Sequence, residues 1–279
     1  MDVQEIDEQP ADTVEELPRL YELQIRDQVD DILSTTVDYA AEGAEEGTLV
    51  WARAQTGARA RNGCNWHSPP GGLHCGLVLR PGLERNRLFE LALVGQIALG
   101  CAIADRVSPM TELRYRWPDA ILISRARVAG LGLAIAPAAG SPSDAIEPEW
   151  AALAVNVNVL TAPPELGYDA ASLCVDGDAR VDAEGLLVGF ARQFLWWINR
   201  WADEGLAPVQ RAWLQRPAGL DEPRRLELAD ESLEGTLREL GPAGEAVFET
   251  ADGRSRTVSL AEFFAAATHS RDSQHREMS

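Results

Sequence analysis

Apolar residues along the 279-residue chain fall into blocks whose spacing alternates between helical and extended periods. Within residues 88–107, Leu91, Val94, Ile97, Ala98, Cys101 and Ala102 recur at three- and four-residue intervals, which predicts a helix with one stripe on a core. The same period over residues 186–201 (Leu186, Leu187, Phe190, Phe194, Trp197, Ile198, Trp201) predicts a second helix, and residues 208–214 a third. Residues 48–52, 73–79, 113–117, 121–123, 128–135 and 153–160 are short apolar runs bounded by Pro, Gly, Asp or Ser, and read as strands. After Pro217 and Pro223 the pattern shortens to runs 232–238, 246–250 and 254–258, with the turn Ala251-Asp252-Gly253 between the last two, which predicts a small β appendage. One amphipathic segment, 29–41, precedes the first strand. The residues before it look too polar to bury much surface, and the first dozen and those from about 268 are expected to be disordered or frayed.

Composition changes this picture little. With 46% apolar residues the chain can build a sizeable core, and no run of 18 apolar residues occurs. The first ten residues are acidic, so neither a membrane span nor a signal peptide is expected and the cytoplasm is the expected location. Four cysteines without a C-x-x-C pair predict reduced thiols, and no zinc-ligand spacing is present. Charge is more informative. The net −19 is distributed as −13 over residues 1–46, +6 over 47–140 and −12 over 141–279, a cationic middle suited to a small anion and flanks that would repel a nucleic acid. All 25 basic residues are arginine, which excludes Schiff-base and lysine-nucleophile chemistry.

Several strings then match one family in order. Gln55-Thr56-Gly57-Ala58-Arg59-Ala60-Arg61-Asn62-Gly63-Cys64-Asn65-Trp66-His67-Ser68-Pro69 resembles the Gln-Thr-x-Gly-Arg-Gly-Arg-x-Gly-x-x-Trp-x-Ser-Pro loop of biotin protein ligases. Arg116-Trp117-Pro118-Asp119-Ala120 is similar to their Lys-Trp-Pro-Asn-Asp, and Arg127-Val128-Ala129-Gly130-Leu131-Gly132 to their Lys-x-Ala-Gly-Ile-Leu. Ala152 to Asn158 stands where the family has Gly-Ile-Gly-Ile-Asn-Val-Asn, and Glu234-Gly235-Thr236 opens a tail like their small C-terminal barrel.

The resemblance, to the biotin and lipoate protein ligase superfamily, implies an α/β (α+β) fold. A mixed sheet backed by helices is expected over residues 29–217 and a small β-barrel over 224–262, after an acidic segment 1–28. It implies a site formed by Gln55, Thr56, Arg59, Arg61, Gly63, Trp66, Trp117, Arg127, Gly130, Asn156 and Asn158, with Arg116 in the place of the catalytic lysine. Two arginines two apart in a small-residue loop suit a phosphate, and Trp66 and Trp117 are expected to wall an apolar slot. The implied ligands are a small acid (biotin, lipoate or octanoate), its adenylate, and ATP with Mg2+; the implied protein partner is a biotin- or lipoyl-carrier domain. Whether the chain is a homodimer stays open.

The departures divide the functional readings. Arg116 keeps the lysine's charge in a different shape, Asp119 adds a negative charge, Ala120 loses a carboxylate, and Ala134 stands where the family often has Glu. Ala58, Ala60, Ala152 and Ala154 replace glycines. A ligase working with Arg116, a binding paralogue without turnover, and a cysteine-dependent acyltransferase using Cys64 beside His67 are the three readings.

Overall fold

The computed structural model describes residues 16–58, 68–137, 148–163, 169–229 and 231–265. Fourteen elements build the main body: β1 (Glu22–Val29), α1 (Ile32–Ala41), β2 (Thr48–Gln55), β3 (Leu73–Leu79), α2 (Arg85–Leu88), α3 (Leu91–Ala104), β4 (Leu113–Arg116), β5 (Ala120–Ile123), β6 (Ala126–Ile135), β7 (Ala151–Val157), α4 (Leu173–Asp176), α5 (Ala183–Glu204), α6 (Ala207–Leu214) and β8 (Pro217–Ala218). Four strands follow: β9 (Pro223–Glu227), β10 (Ser232–Leu240), β11 (Ala246–Thr250) and β12 (Ser255–Val258).

The main sheet has eight strands in the order β1-β2-β3-β7-β6-β5-β4-β8. Its two outer pairs, β1–β2 and β4–β8, are parallel and the rest antiparallel, so the sheet is mixed as expected. The β5–β6 hairpin turns on Ser124 and Arg125, both with positive φ (48° and 76°), the geometry of a two-residue turn that follows the sheet's twist.

Period-two alternation assigns the two faces of this sheet. Leu49, Trp51, Leu73, Cys75, Leu77, Leu131, Leu153 and Val155 point into the main core, under α3 and α5. The opposite face carries small residues. Its Gly76 lies against Thr36 and its Gly132 against Leu33, so α1 rests directly on the strands. Asp31 caps α1, accepting from the Ser34 N–H at 2.7 Å, and Asp182 caps α5, accepting from Gly185 N–H at 2.8 Å. Gly205, at φ +72°, ends α5 where a side chain would be strained.

Two expectations are corrected. The helix read as carrying a single apolar stripe is buried on nearly every side, because α3 is sandwiched between the sheet and α5. The stretch Arg85–Ala104 is apolar enough by composition to cross a membrane, yet 83% of its most apolar window is inside the protein. The segment before residue 29, expected to bury little, supplies β1. Its Leu23 and Ile25 pack on the main core, and its backbone groups are satisfied by pairing with β2. The small C-terminal β unit expected from the sequence is present as a four-stranded antiparallel sheet in the order β12-β11-β10-β9, followed by a helical turn carrying Phe263 and Phe264.

That smaller sheet is docked by one turn. Gly244 has φ +80°, and a Cβ there would come within 2.7 Å of Leu93, 3.0 Å of Leu260 and 3.1 Å of Leu206. Only a glycine fits, and its carbonyl accepts the indole N–H of Trp117 at 2.8 Å.

A buried carboxyl ties the core helices together. Trp201 Nε1 donates to Glu90 Oε2 at 2.5 Å, while the Arg87 guanidinium lies 5.0 Å from the Trp201 ring centre. Burial raises the Glu90 pKa, partly opposed by the Trp201 hydrogen bond and the charge of Arg87. A carboxyl whose pKa is raised by folding contributes stability that is complete below the ordinary carboxylate range and is lost as pH rises through the raised value. Glu90→Gln keeps an acceptor for Trp201 and removes the titration. Relative to the unmodified protein it is expected to be more stable at about pH 8 than at about pH 4, read from urea unfolding at each pH. Parallel pH dependence in the two proteins would mean that Glu90 ionises in the fold as it does in the unfolded chain.

Candidate functional site

Directly opposed residues on neighbouring strands project to the same face. The registers Ala52–His74, His74–Asn156, Asn156–Gly130, Gly130–Ala120 and Ala120–Arg116 therefore form one row across six strands. The row lies on the α1 face, and its β2 member, Ala52, packs with Ile32 of α1. At a strand spacing of about 4.8 Å, His74 and Arg116 stand roughly 19 Å apart along it. Glycine and alanine between them leave a low floor.

One end of the row is a network of neutral polar groups. Gln55 Nε2 lies 2.6 Å from Asn156 Oδ1, 2.7 Å from Ser68 Oγ and 3.2 Å from His74 Nδ1, and His74 Nδ1 lies 2.9 Å from Asn156 Oδ1. Gln55 Oε1 accepts the backbone N–H of Ile32 at 3.2 Å, so the first residue of α1 is part of the network. His74 is buried, which lowers its pKa, with the Asn156 hydrogen bond opposing the shift.

The other end is charged, with arginines and carboxylates in nearly equal number. Arg116, Asp119, Arg127, Asp169 and Glu222 line a cleft of about 610 Å³ between the main sheet and the β9 side of the smaller one. Burial lowers the Arg116 pKa, and the charge of Arg127 adds to this while Asp119 opposes it. Its guanidinium has no hydrogen-bonded or ion-paired acceptor among the described residues. Arg127, by contrast, reaches Asp119 at 3.7 Å. The backbone beneath is held by Gln96, a wholly buried residue of α3 whose Nε2 donates to Arg116 O at 2.8 Å and Ala120 O at 2.7 Å. The turn between them includes a cis Trp117–Pro118 bond.

The structure thus gathers Gln55, Asn156, Gly130, Arg116 and Arg127 on one face. Thr56 sits at the exposed end of β2, tied to Asp30, and is not drawn into the network. Asn158 is buried past the end of β7, where its amide donates to Ala171 O at 3.0 Å and so holds a neighbouring loop. Trp117 does not wall an open slot. It is fully buried, edge-on to Phe263 and hydrogen-bonded to Gly244, and belongs to the junction of the two sheets. Arg59, Arg61, Gly63 and Trp66, with Cys64 and His67, lie outside the described residues.

The alanines at two of the replaced glycines are buried core residues. Ala154 packs with Ile32, Val50 and Ala52, and Ala152 with Ala40, Val78 and Trp150, so α1 absorbs both added methyl groups. Two residues were not picked out from the sequence, His74 and Gln96. Each is a single polar residue in an otherwise apolar element, LHCGLVL and LALVGQIALGCAIA, and that interruption is the signal that could have found them.

The domain is thus α/β, a mixed sheet with a small-residue face that carries an amide-imidazole network at one end and a cleft containing Arg116 and Arg127 at the other. Residues 17–215 match the model of the biotin/lipoate A/B protein ligase family, and the chain belongs to that family. It is 28% identical over 229 residues to the biotin–[acetyl-CoA-carboxylase] ligase of Paracoccus denitrificans, covering 80% of this chain and 92% of that one. To the bifunctional ligase/repressor BirA of Bacillus subtilis it is 26% identical over 236 residues, 82% of this chain and 71% of that one. Among solved structures, the biotin protein ligase of Aquifex aeolicus in complex with biotin and ATP superposes with a TM-score of 0.70 at 20% identity, covering 86% of this chain and 97% of that one. A biotin protein ligase-like protein of unknown function from a Silicibacter species superposes with a TM-score of 0.71 at 21% identity, covering 88% and 96%. At these identities the superpositions speak for the fold.

The Asp119–Arg127 pair sets a test of the cleft. Both side chains are mostly buried, 16% and 20% exposed, so the carboxylate screens the positive charge that would meet an anion. Asp119→Asn is expected to tighten binding of ATP or pyrophosphate by about 5- to 10-fold, or roughly 1 to 1.4 kcal/mol, in calorimetric titration. Unchanged affinity would place the anion away from Arg127.

Proposed function

We propose that the protein is a ligase-like binder of a small carboxylic acid and its adenylate, lying along the His74–Arg116 row with the carboxylate or phosphate at the arginine end. The observation that carries this reading is the partly buried Arg116 guanidinium, which has no acceptor among the described residues and opens onto a cleft of about 610 Å³. A cation kept in such surroundings is stabilised by an anion that shares them. The position fits an ATP phosphate, and ATP would supply the adenylyl group that activates the acid.

In this reading Arg116 holds and neutralises the anion, Gln96 fixes the backbone from which Arg116 projects, and Arg127, moderated by Asp119, sets the net charge of the cleft. The Gln55–His74–Asn156 network grips the far end of the ligand. Transfer of the activated acid to a lysine on a carrier domain belongs to the same reading, with biotin, lipoate and octanoate as the acids to be compared and Mg2+ accompanying the nucleotide. The cytoplasm is the compartment proposed.

One observation favours a second reading, binding without turnover. The Asp119–Arg127 contact spends the second guanidinium on a protein carboxylate rather than on substrate. Pyrophosphate release from ATP separates the two. A ligase releases it with one acid and not the others, and Arg116→Ala lowers that rate by about 100- to 1,000-fold, the usual cost of a lost charge-stabilising contact. No release with any of the three acids, together with tight binding of one adenylate, would overturn the ligase reading in favour of the binder.

A further inference from the structure

Strand β6 changes partners near Arg127. From Ala129 to Ile135 it pairs with β7, but β7 ends at Val157, and the start of β6 is completed by the segment 169–171 instead. The Arg127 N–H donates to Asp169 O at 2.8 Å, and the Arg127 carbonyl accepts from the Ala171 N–H at 2.9 Å. The backbone that carries this guanidinium is therefore held by a loop.

Asn158 stands at the change of partner. Its N–H donates to Val128 O at 2.9 Å, its carbonyl accepts from the Leu173 N–H at 2.9 Å, and its side-chain amide donates to Ala171 O at 3.0 Å. It is 4% exposed and stands outside the lining of the cleft. One buried residue thus joins β6, the end of β7 and the loop. Without its amide the carbonyl of Ala171, itself buried, would lose that donor, a loss that desolvated acceptors do not tolerate cheaply.

We infer that Asn158 is a positioning residue for the anion, acting through the loop 169–173 on Arg127 and Asp169, which both line the cleft. This rests on the anion site of the proposed function and adds to it a residue that controls the site without touching the ligand. Loosening the loop has two opposed effects. Arg127 loses its backbone support, which weakens the hold on the anion, and the Asp169 carboxylate draws back, which strengthens it. The first is the larger, because the Arg127 side chain is only 20% exposed whereas Asp169 is exposed and screened by solvent.

The full chain and its Asn158→Ala variant are compared by amide hydrogen exchange and by calorimetric titration with pyrophosphate, with ATP, and with biotin, lipoate or octanoate alone. The variant should exchange its Arg127 and Ala171 amides at least about 10-fold faster and bind pyrophosphate and ATP about 5- to 30-fold more weakly, while its affinity for the acid alone is unchanged. A residue that only stabilised the fold would move both affinities or neither. In an Arg127→Met background the same substitution should cost less than about twofold, because its effect passes through Arg127. Asn158→Ser carries the same expectations and replaces the alanine variant if that one does not fold. Unaltered exchange at Arg127 and Ala171, unchanged affinity for pyrophosphate, an equal loss of acid affinity, or a full loss in the Arg127→Met background would overturn the inference and leave the cleft reading intact. No binding of pyrophosphate or ATP by the unmodified protein would overturn the proposed function, and this inference with it.

Discussion

Two donors hold the turn that joins β4 to β5, and much of the site depends on them. From the core side, the Gln96 amide on α3 bridges the carbonyls of Arg116 and Ala120. From the turn itself, the Trp117 indole reaches the carbonyl of Gly244 in the smaller sheet. Each acceptor is a backbone oxygen in a dry environment, where an unpaired carbonyl costs about 1 to 3 kcal/mol. The turn is therefore fixed against the core helix and the C-terminal sheet together, and Arg116 leaves it in a set direction towards the cleft. The smaller sheet does not merely cap the protein, since it supplies one wall of the cleft and the acceptor that seats Trp117.

The same economy of small residues governs the opposite end. α1 approaches the strands closely enough that Gly76 meets Thr36 and Gly132 meets Leu33, which brings Ile32 to the network of Gln55, His74 and Asn156. A helix set further from the sheet would leave the Gln55 carbonyl without its donor. The amide would then be free to turn over, and with it the assignment of every hydrogen in the network.

Most of the fold was legible because its signals were local. Strand β3 has the bounds read from its apolar run, and α6 and β11 lie within a residue of theirs, because abrupt polar or Pro and Gly boundaries enclose each. β1 was not legible: ELQIRDQV has only Leu23, Ile25 and Val29 to mark buried positions, and what makes it a strand is a parallel partner 26 residues further along the chain. In the site, the motif series located Gln55, Arg116, Arg127 and Asn156, but residue type alone could not say which way a side chain faces. Asn156 and Asn158 are two apart and alike, yet one joins the cross-strand row and the other ties down Ala171. Trp117 has the composition of a pocket wall and the burial of a core residue.

The departures from the family pattern sort by where they fall in this geometry. The methyl groups at Ala152 and Ala154 lie under α1 and alter packing rather than ligand contact. Asp119 lies at the charged end and changes its charge through Arg127. His74, in the same cross-strand row, joins Gln55 and Asn156 in the polar network at the other end. Because the two ends of the row stand four strands apart, roughly 19 Å, a substitution at one end is expected to leave the geometry of the other unchanged.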